Sequence, residues 1–328
     1  MATLAGVLGM VHTPFCYVSH SYWPVIRARR ALRADVPEDG DEIEAKARRV
    51  QQSFALMRQK ADECNADVVI IFGDDQLEYL DFNSFPPFAI FAGEEFTGSL
   101  SYDDMVRYRL APEGDEAPKQ TIKGHPELAG ALLSKLYARG FDPAFGLTTD
   151  SPRHVGHAFM RPAESATDCS IPIIPVMVNC YYAPQATATR CYELGKVVRE
   201  AIDSYPTDLR VLVIGSGGLW HTPGAPGSYL DEDFDRQLLG FLEKGEVANA
   251  AQFFDSYQIP EGDLSQPLGQ RTATSTGLPE SPGPQGGTRE YCNWIAAAAV
   301  ADGSPWTVVD YVPIYSSPIG AGFAYCNL

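Results

Sequence analysis

Apolar residues follow two different periods along the chain, and these periods predict strands and helices in alternation. Short apolar runs typical of buried strands cover residues 3–11, 67–72, 88–92, 209–215 and 306–312. Apolar residues at spacings of three and four predict helices over residues 41–64, 125–140, 188–205, 231–245 and 288–301. Because the strands are apolar on both faces, we expect helices on both sides of the sheet. The predicted fold is a three-layer α/β/α sandwich with a mostly parallel or mixed central sheet.

Three segments do not fit this pattern. Residues 171–178 (IPIIPVMV) are apolar, but their prolines predict a strand at the sheet edge or an irregular segment. Residues 107–124 and 260–287 are poor in core residues and are predicted to be mobile surface loops. We expect residues 1–328 to form a single domain that carries these two loops.

Composition narrows the class of protein. The 328 residues include 25 Lys and Arg against 42 Asp and Glu, a net charge of −17, which disfavours binding to nucleic acid or anionic lipid. The seven cysteines form no CxxC pair, which indicates reduced thiols and a cytoplasmic location. The sequence suggests neither a secretory leader nor a membrane-spanning segment.

Polar side chains follow three of the predicted strands. His12 follows the first strand, Asp74, Asp75 and Gln76 follow the second, and His221 follows a glycine-rich turn after a later one. If these strands are parallel neighbours, the side chains converge where open α/β sheets bind ligands. Each residue also has a simpler interpretation, since a histidine can bond a loop carbonyl and an aspartate can cap a turn.

Familiar motifs of other enzyme classes are missing. The turn GSGG at residues 215–218 lacks the GxGxxG pattern of dinucleotide-binding proteins, and Ile214 excludes the GxSxG elbow of serine hydrolases. The glycines are therefore expected to let the backbone turn sharply. His154 and His157 lie between two prolines, where we predict a loop.

Ten segments taken in order point to one family. They read GVLGMVHTP, SYWPV, ADVVIIFGDDQ, PPFAIFAGEEF, KGHPELA, IPIIPVMVN, RCYELG, SYPTDLRVLVIGSGGLWH, TREYCNWI and YVPIYSSPIGAGFA. Together they make the chain similar, nearly end to end, to the catalytic subunit of class III extradiol ring-cleavage dioxygenases of the protocatechuate 4,5-dioxygenase type. The resemblance implies the same three-layer sandwich.

The resemblance also implies a metal site. In this family two histidines and a glutamate hold Fe(II), and His12 and Glu290 match the first histidine and the glutamate. The second histidine belongs to an Asn-Asp-His pattern that reads Asp74-Asp75-Gln76 here, so Gln76 occupies the position of a ligand. By position alone, Glu290 is an acid favoured by a helix N-terminus.

Three consequences of Gln76 are open. Its amide oxygen could coordinate the metal as a weaker donor than imidazole. Asp74 or Asp75 could move in and give a site richer in carboxylate, suited to another divalent metal. The site could also bind no metal and leave His12, His221 and Glu290 for acid–base chemistry.

Further roles follow from the resemblance alone. It implies that His221 is the acid–base catalyst, that His154 lines the pocket, and that Asp75 orients or charges the site. Arg153 and Arg161 are candidates for binding a substrate carboxylate.

The implied reaction is cleavage of a catechol-type aromatic acid by O₂. The alternatives are a non-oxidative lyase, decarboxylase or hydrolase in the same pocket, with an altered metal or none, and a non-catalytic binding protein. The expected partners are the small aromatic substrate and O₂, with a second copy of the chain or a small helical subunit that closes the pocket.

Overall fold

The computed structural model describes residues 1–28, 38–114, 116, 118–149, 153–221, 229–258, 276–326 and 328. Its strands are β1 Thr3–Met10, β2 Val68–Gly73, β3 Phe88–Phe91, β4 Glu95–Ser99, β5 Lys119–Lys123, β6 Ala144–Gly146, β7 Ile173–Val178, β8 Arg210–Ser216, β9 Thr307–Ile314 and β10 Ile319–Cys326. Its helices are α1 Trp23–Ala28, α2 Gly40–Cys64, α3 Tyr102–Arg107, α4 Pro126–Ala138, α5 His157–Thr167, α6 Ala188–Ser204, α7 Glu232–Glu243, α8 Val247–Ser256 and α9 Tyr291–Val300.

One mixed sheet forms the centre of the described chain. Its eight strands lie in the order β6-β3-β7-β2-β8-β1-β10-β9. The strands β7, β2, β8 and β1 run parallel to one another, whereas β3 is antiparallel to β7 and β10 is antiparallel to β1 and β9. Successive side chains of a strand point to opposite faces, so Ile70 and Ile71 of β2 enter different cores.

Helices cover both faces of this sheet. The first core contains buried residues of α4, α6, α7, α8 and α9. The second core contains buried residues of α1, α2 and α5. The predicted three-layer α/β/α sandwich is therefore confirmed. None of the described helices has the length and apolar character needed to cross a bilayer.

Helix α2 shows how local sequence determines an element. Asp39 accepts a hydrogen bond from the Glu42 N–H, and the Glu42 carboxylate accepts one from the Asp39 N–H, so the two form a capping box. The helix ends at Asn65, which adopts the left-handed conformation (φ 45°) that terminates many helices. Its buried stripe, which includes Phe54 and Met57, packs on the second core.

One prediction about a strand was wrong, and the strand β10 of the main sheet was missed. Residues 171–178 contain β7, which lies inside the sheet between β3 and β2 rather than at its edge. Pro175 has no N–H to donate to a neighbouring strand. The sheet tolerates it because the pairing between β7 and β3 ends at Val176, one residue after this proline. The strand β10 was not predicted, because its glycines interrupt the apolar pattern; a Cβ on Gly322 would lie 2.7 Å from the Leu219 side chain.

The two predicted loops have different outcomes. Residues 107–124 are not one loop, because they include the end of α3 and the strand β5, which pairs with β4 in a two-stranded sheet. Residues 260–275 of the second predicted loop lie outside the described residues, while residues 286 and 287 are buried in a 3₁₀ helix, Gly286–Glu290.

Candidate metal centre

Side chains from three parts of the fold meet beyond the carboxyl ends of β1, β8 and β2. His12 follows β1, Asp74 follows β2, and Glu290 ends the 3₁₀ helix that leads into α9. One ligand atom from each of these residues lies within 4.8 Å of the other two. All three side chains are at most 1% exposed. Of the strand-end side chains that were expected to converge, His12 and Asp74 meet here.

Two atoms of this cluster have no hydrogen-bond partner among the described residues. Nε2 of His12 lies 3.7 Å from Oδ1 of Asp74 and 3.2 Å from Oε2 of Glu290. Both His12 Nε2 and Asp74 Oδ1 are buried and unpaired. Unpaired buried polar atoms are costly, and a cation between these two would satisfy both.

Hydrogen bonds determine which nitrogen of His12 faces the carboxylates. The Ser216 hydroxyl donates to the Ala158 carbonyl over 2.5 Å, and it lies 2.8 Å from Nδ1 of His12. Because this hydroxyl proton is already engaged, Ser216 accepts a hydrogen bond from Nδ1–H. The lone pair of the neutral ring is then on Nε2, as it is in metal-bound histidines.

Replacing Ser216 with alanine tests this hydrogen bond. The change removes the group that holds the His12 tautomer and leaves the metal ligands in place. We expect metal affinity to fall by roughly 10–100-fold, as for other residues that orient a ligand. Equilibrium dialysis against a metal buffer measures the loss; an unchanged affinity would contradict the assignment.

Glu290 lies between the two histidines of the site. Its Oε2 accepts a hydrogen bond from the Gly218 N–H over 2.8 Å, and its Oε1 accepts one from the Tyr181 hydroxyl over 2.6 Å. Nε2 of His221 lies 3.2 Å from Oε1. The carboxylate is therefore held in one orientation by groups from three segments.

The charges of the cluster influence one another strongly. Burial would raise the pKa of Glu290, but His12 and His221 hold it well below its ordinary range. Burial lowers the pKa of His12, yet Glu290 and Asp74 outweigh burial and raise it to about 9. Burial and the charge of Glu290 raise the pKa of Asp74 well above its ordinary range. A cation would therefore replace protons held by this cluster.

A backbone hydrogen bond determines the tautomer of the neutral His221 ring and leaves the lone pair on Nε2, the nitrogen that faces Glu290. Its Nδ1 lies 2.9 Å from the Leu219 carbonyl and donates to it, so the lone pair is on Nε2. Thr288 bonds both the N–H and the carbonyl of His221 over 3.1 Å. A Cβ on Gly287 would lie 2.2 Å from Nε2, so glycine is needed for the ring to fit.

Asp75 and Gln76 occupy positions outside this cluster. The Asp75 carboxylate accepts hydrogen bonds from the N–H groups of Leu77, Tyr79 and Leu80. It therefore caps a turn, which was the simpler of the two interpretations drawn from the sequence. The half-buried Gln76 donates to Oδ2 of Asp74 over 3.3 Å. The structure therefore places Asp74, rather than Gln76, beside His12 and Glu290.

The segment of His154 also differs from its prediction. Residues 157–167 form α5 instead of a loop, and Pro162 lies inside that helix. His154 is half-buried and bonds the Val155 carbonyl. It is His157 whose ring packs edge-on against His12, with 5.1 Å between ring centroids.

His157 belongs to a buried polar chain that the sequence analysis missed. Its Nδ1 lies 2.8 Å from Oε1 of Glu78, and this oxygen also accepts from Arg107 over 2.7 Å. Burial lowers the pKa of His157 to about 4, against the opposing charge of Glu78. The neutral ring thus donates Nδ1–H to Glu78.

Two further residues of the site, Ser216 and Tyr181, were not predicted, because each is a single residue outside any recognisable sequence motif. Ser216 is the last residue of β8, and Tyr181 follows β7, so both occupy the same strand-end positions as His12 and Asp74. That position was the available signal. A single serine or tyrosine does not stand out in sequence, and β7 had been predicted at the edge.

The donor set fits a divalent cation. It offers one imidazole nitrogen and two carboxylate groups, and such mixed sites bind first-row divalent metals. The two unpaired atoms described above are the observation that supports the fit.

Fold and site define an α/β/α sandwich protein with a buried imidazole–carboxylate centre at the carboxyl ends of its parallel strands. Residues 34–259 match the family model for the catalytic LigB subunit of aromatic ring-opening dioxygenase. The chain belongs to this family, and the resemblance drawn from the sequence is confirmed.

Curated relatives cover parts of the chain. A gallate dioxygenase of Pseudomonas putida is 33% identical over 126 residues, which are 37% of this chain and 36% of that protein. The 2,3-dihydroxyphenylpropionate/2,3-dihydroxicinnamic acid 1,2-dioxygenase of Photorhabdus laumondii is 28% identical over 189 residues, 57% of this chain and 53% of that one. The chain spans about half the length, or less, of these relatives.

A solved structure also aligns with the chain. The crystal structure of an uncharacterized protein from Escherichia coli K12 covers 98% of this chain and 99% of its own, with a TM-score of 0.45 and 12% identity.

Proposed function

We propose that this chain is a metal-dependent dioxygenase that opens the ring of a catechol-type aromatic compound by extradiol cleavage with O₂. The family supports ring-opening dioxygenase chemistry, and the relatives named above are dioxygenases of dihydroxylated or trihydroxylated aromatic acids. The observation that carries the proposal is the pair of unpaired buried atoms, His12 Nε2 and Asp74 Oδ1, facing Glu290.

His12, Asp74 and Glu290 would hold the metal, which the family implies to be Fe(II). When bound, it would supply a common binding point for the catechol oxygens and O₂ and a path for electrons between them. The protein would contribute orientation. Ser216 fixes the His12 ring, and Tyr181 and Gly218 fix the Glu290 carboxylate.

His221 would move the proton. Its Nε2 lone pair is available because Nδ1–H is bonded to the Leu219 carbonyl. The ring can therefore take a proton from a catechol hydroxyl at Nε2 and return it to an oxygen later in the reaction. Burial of the site excludes bulk water, which would otherwise compete for that proton.

Oxygen uptake tests the proposal. The protein is loaded anaerobically with Fe(II), Mn²⁺ or Mg²⁺ in separate samples, and each is assayed with a panel of catechols. We expect uptake coupled to a ring-opened product in at least one redox-active sample. A fully loaded protein that consumes no oxygen across the panel would contradict the proposal.

His221→Ala tests the acid–base role. We expect kcat to fall by roughly a hundredfold to ten-thousandfold, because a positioned acid–base group contributes about that much. Bound metal, measured by elemental analysis, should stay the same. His20→Ala, which changes an exposed histidine, is the matched control and should keep wild-type activity. Equal activity of both variants would overturn the role.

A second candidate rests on the donor set. Asp74, and not Gln76, joins His12 and Glu290 in the cluster, and two carboxylates suit a harder cation than Fe(II). A non-oxidative lyase, decarboxylase or hydrolase acting on an aromatic acid would then be the function. Product formed from such an acid without oxygen, by the Mn²⁺- or Mg²⁺-loaded protein, would favour this candidate. Assembly with a second copy or with a small helical subunit stays a prediction.

A further inference from the structure

A pocket of about 720 Å³ opens at the edge of the sheet where β7 ends. The loop before β3 contributes Phe82 and Phe85, and the turn after β7 contributes Tyr182 and Pro184. Leu278 lies at its rim and is 56% exposed. Because β7 is parallel to β2, the pocket and the metal centre share one edge of the sheet.

Two consecutive tyrosines join the pocket to the centre. The Tyr181 hydroxyl donates to Glu290, whereas the ring of Tyr182 lines the pocket, with 6.2 Å between the two ring centroids. Burial raises the pKa of Tyr182, and the charges of Asp74 and Asp75 raise it further. A ligand at the metal centre would extend toward the pocket along this turn.

The pocket wall is aromatic. Phe85 and Phe82 pack edge-on against Tyr182, with centroid distances of 4.6 Å and 5.1 Å. Together with Pro184 and Leu278 they present a surface that favours apolar groups through burial of apolar area.

Three polar side chains of the wall, Asn179, Gln185 and Thr276, already make hydrogen bonds within the protein. The Asn179 amide donates to the Tyr182 carbonyl and accepts from its N–H. Gln185 donates to Gln285 and accepts from the Ser281 N–H. Thr276 donates to the Ala183 carbonyl. These groups stabilise the wall and are not arranged to bind a ligand.

No cationic side chain faces this pocket in the described part of the chain: its lining contains no Lys, Arg or His. The two arginines proposed from sequence for a carboxylate are engaged elsewhere. Arg161 is fully buried and makes a bidentate ion pair with Asp104. Its Nε donates to Oδ2 over 2.8 Å and its Nη2 donates to Oδ1 over 2.9 Å. Arg153 pairs with Asp81 and bonds the Leu80 carbonyl.

We propose that this pocket binds the ring substituent of the substrate and selects an uncharged apolar chain over a carboxylate. The substrate class would then be catechols with an alkyl or aryl side chain, in contrast to the aromatic acids named for the relatives. The inference rests on the proposed function, because it places the substrate ring at the metal centre.

Binding of unreactive phenols tests the pocket separately from catalysis. Calorimetry on the metal-loaded protein compares phenols with para ethyl, propyl and butyl chains, and a phenol with a para propanoate chain. We expect affinity to rise about fourfold per added methylene, the transfer free energy of a CH₂ group. The propanoate should bind about tenfold more weakly than butyl, because its charge would be desolvated without a partner.

A charge placed at the rim should reverse this preference. Leu278→Arg adds a cation to the pocket and should shift the propanoate-to-butyl affinity ratio by about tenfold or more toward propanoate. Leu147→Arg is the matched control, since Leu147 is also 56% exposed but does not line the pocket. This control should keep the wild-type ratio.

The outcomes separate the two proposals. The pocket assignment would be overturned if the affinity for the phenols did not change with chain length. It would also be overturned if the propanoate-to-butyl affinity ratio were the same in the Leu278→Arg and Leu147→Arg variants. Oxygen uptake with catechols that carry the same chains is measured in parallel. The expected binding series without any oxygen uptake would support the pocket and count against the dioxygenase proposal, whereas uptake without chain preference would do the opposite.

Discussion

Replacing Asp74 with alanine is expected to weaken metal binding by more than about a hundredfold. Loss of a residue that only orients a ligand already costs roughly 10–100-fold, and Asp74 contributes its own carboxylate oxygen to the cluster. The unpaired Oδ1 atom would disappear with the side chain. Competition against a chromophoric chelator, with Fe(II) under argon and with Mn²⁺, measures the dissociation constants.

Gln76→Ala is the matched comparison for this prediction. Gln76 only donates a hydrogen bond to the far oxygen of Asp74, so its loss should cost about tenfold or less. A larger loss for Gln76→Ala than for Asp74→Ala would mean that the amide is the ligand, as the family pattern had suggested. The comparison therefore decides between two of the three consequences left open by the sequence.

Replacing Asp104 with alanine is expected to lower the free energy of unfolding by about 3–5 kcal/mol. Asp104 and Arg161 are both 0% exposed, and the two oxygens of Asp104 accept from the Arg161 guanidinium. The variant would leave a buried arginine without its counter-charge, which is among the costliest single changes in a protein. Urea denaturation followed by circular dichroism measures the change.

Asp103→Ala, one residue earlier on α3, is the control. Asp103 is 22% exposed and lies 3.7 Å from the partly exposed Arg107, so its loss should cost less than about 1 kcal/mol. The double variant Asp104→Leu with Arg161→Met removes both charges and should recover much of the lost stability. If Asp104→Ala and Asp103→Ala destabilise equally, the buried pair is not the source of the effect.

The sequence predicted much of the fold because the hydrophobic pattern is strong where strands are covered on both faces. Residues 68–72 and 211–214 are apolar at every position, and the structure buries them completely. The stripe on α2 likewise has a clear helical period. Convergence of the polar strand ends followed from topology alone, since parallel neighbours end at the same edge.

The remaining errors arose where tertiary contacts outweighed local signals. Pro175 suggested an edge, yet the shortness of β3 lets β7 lie in the interior. Gly322 interrupts the apolar pattern of β10 in the sequence, so the strand was not predicted. In the structure the Leu219 side chain fills the space that a side chain at position 322 would need. In the site, the choice between Asp74 and Gln76 depends on side-chain directions after β2, which no local pattern records.

The position of β1 has a consequence for how the chain is made. Its two sheet neighbours, β8 and β10, follow it by roughly 200 residues or more. At ribosomal speeds of about 5–20 residues per second, the apolar first strand waits on the order of 10–40 s for its nearest partner. During that interval β1 of the nascent polypeptide has neither of its sheet neighbours, and its backbone can pair only once β8 has been synthesised.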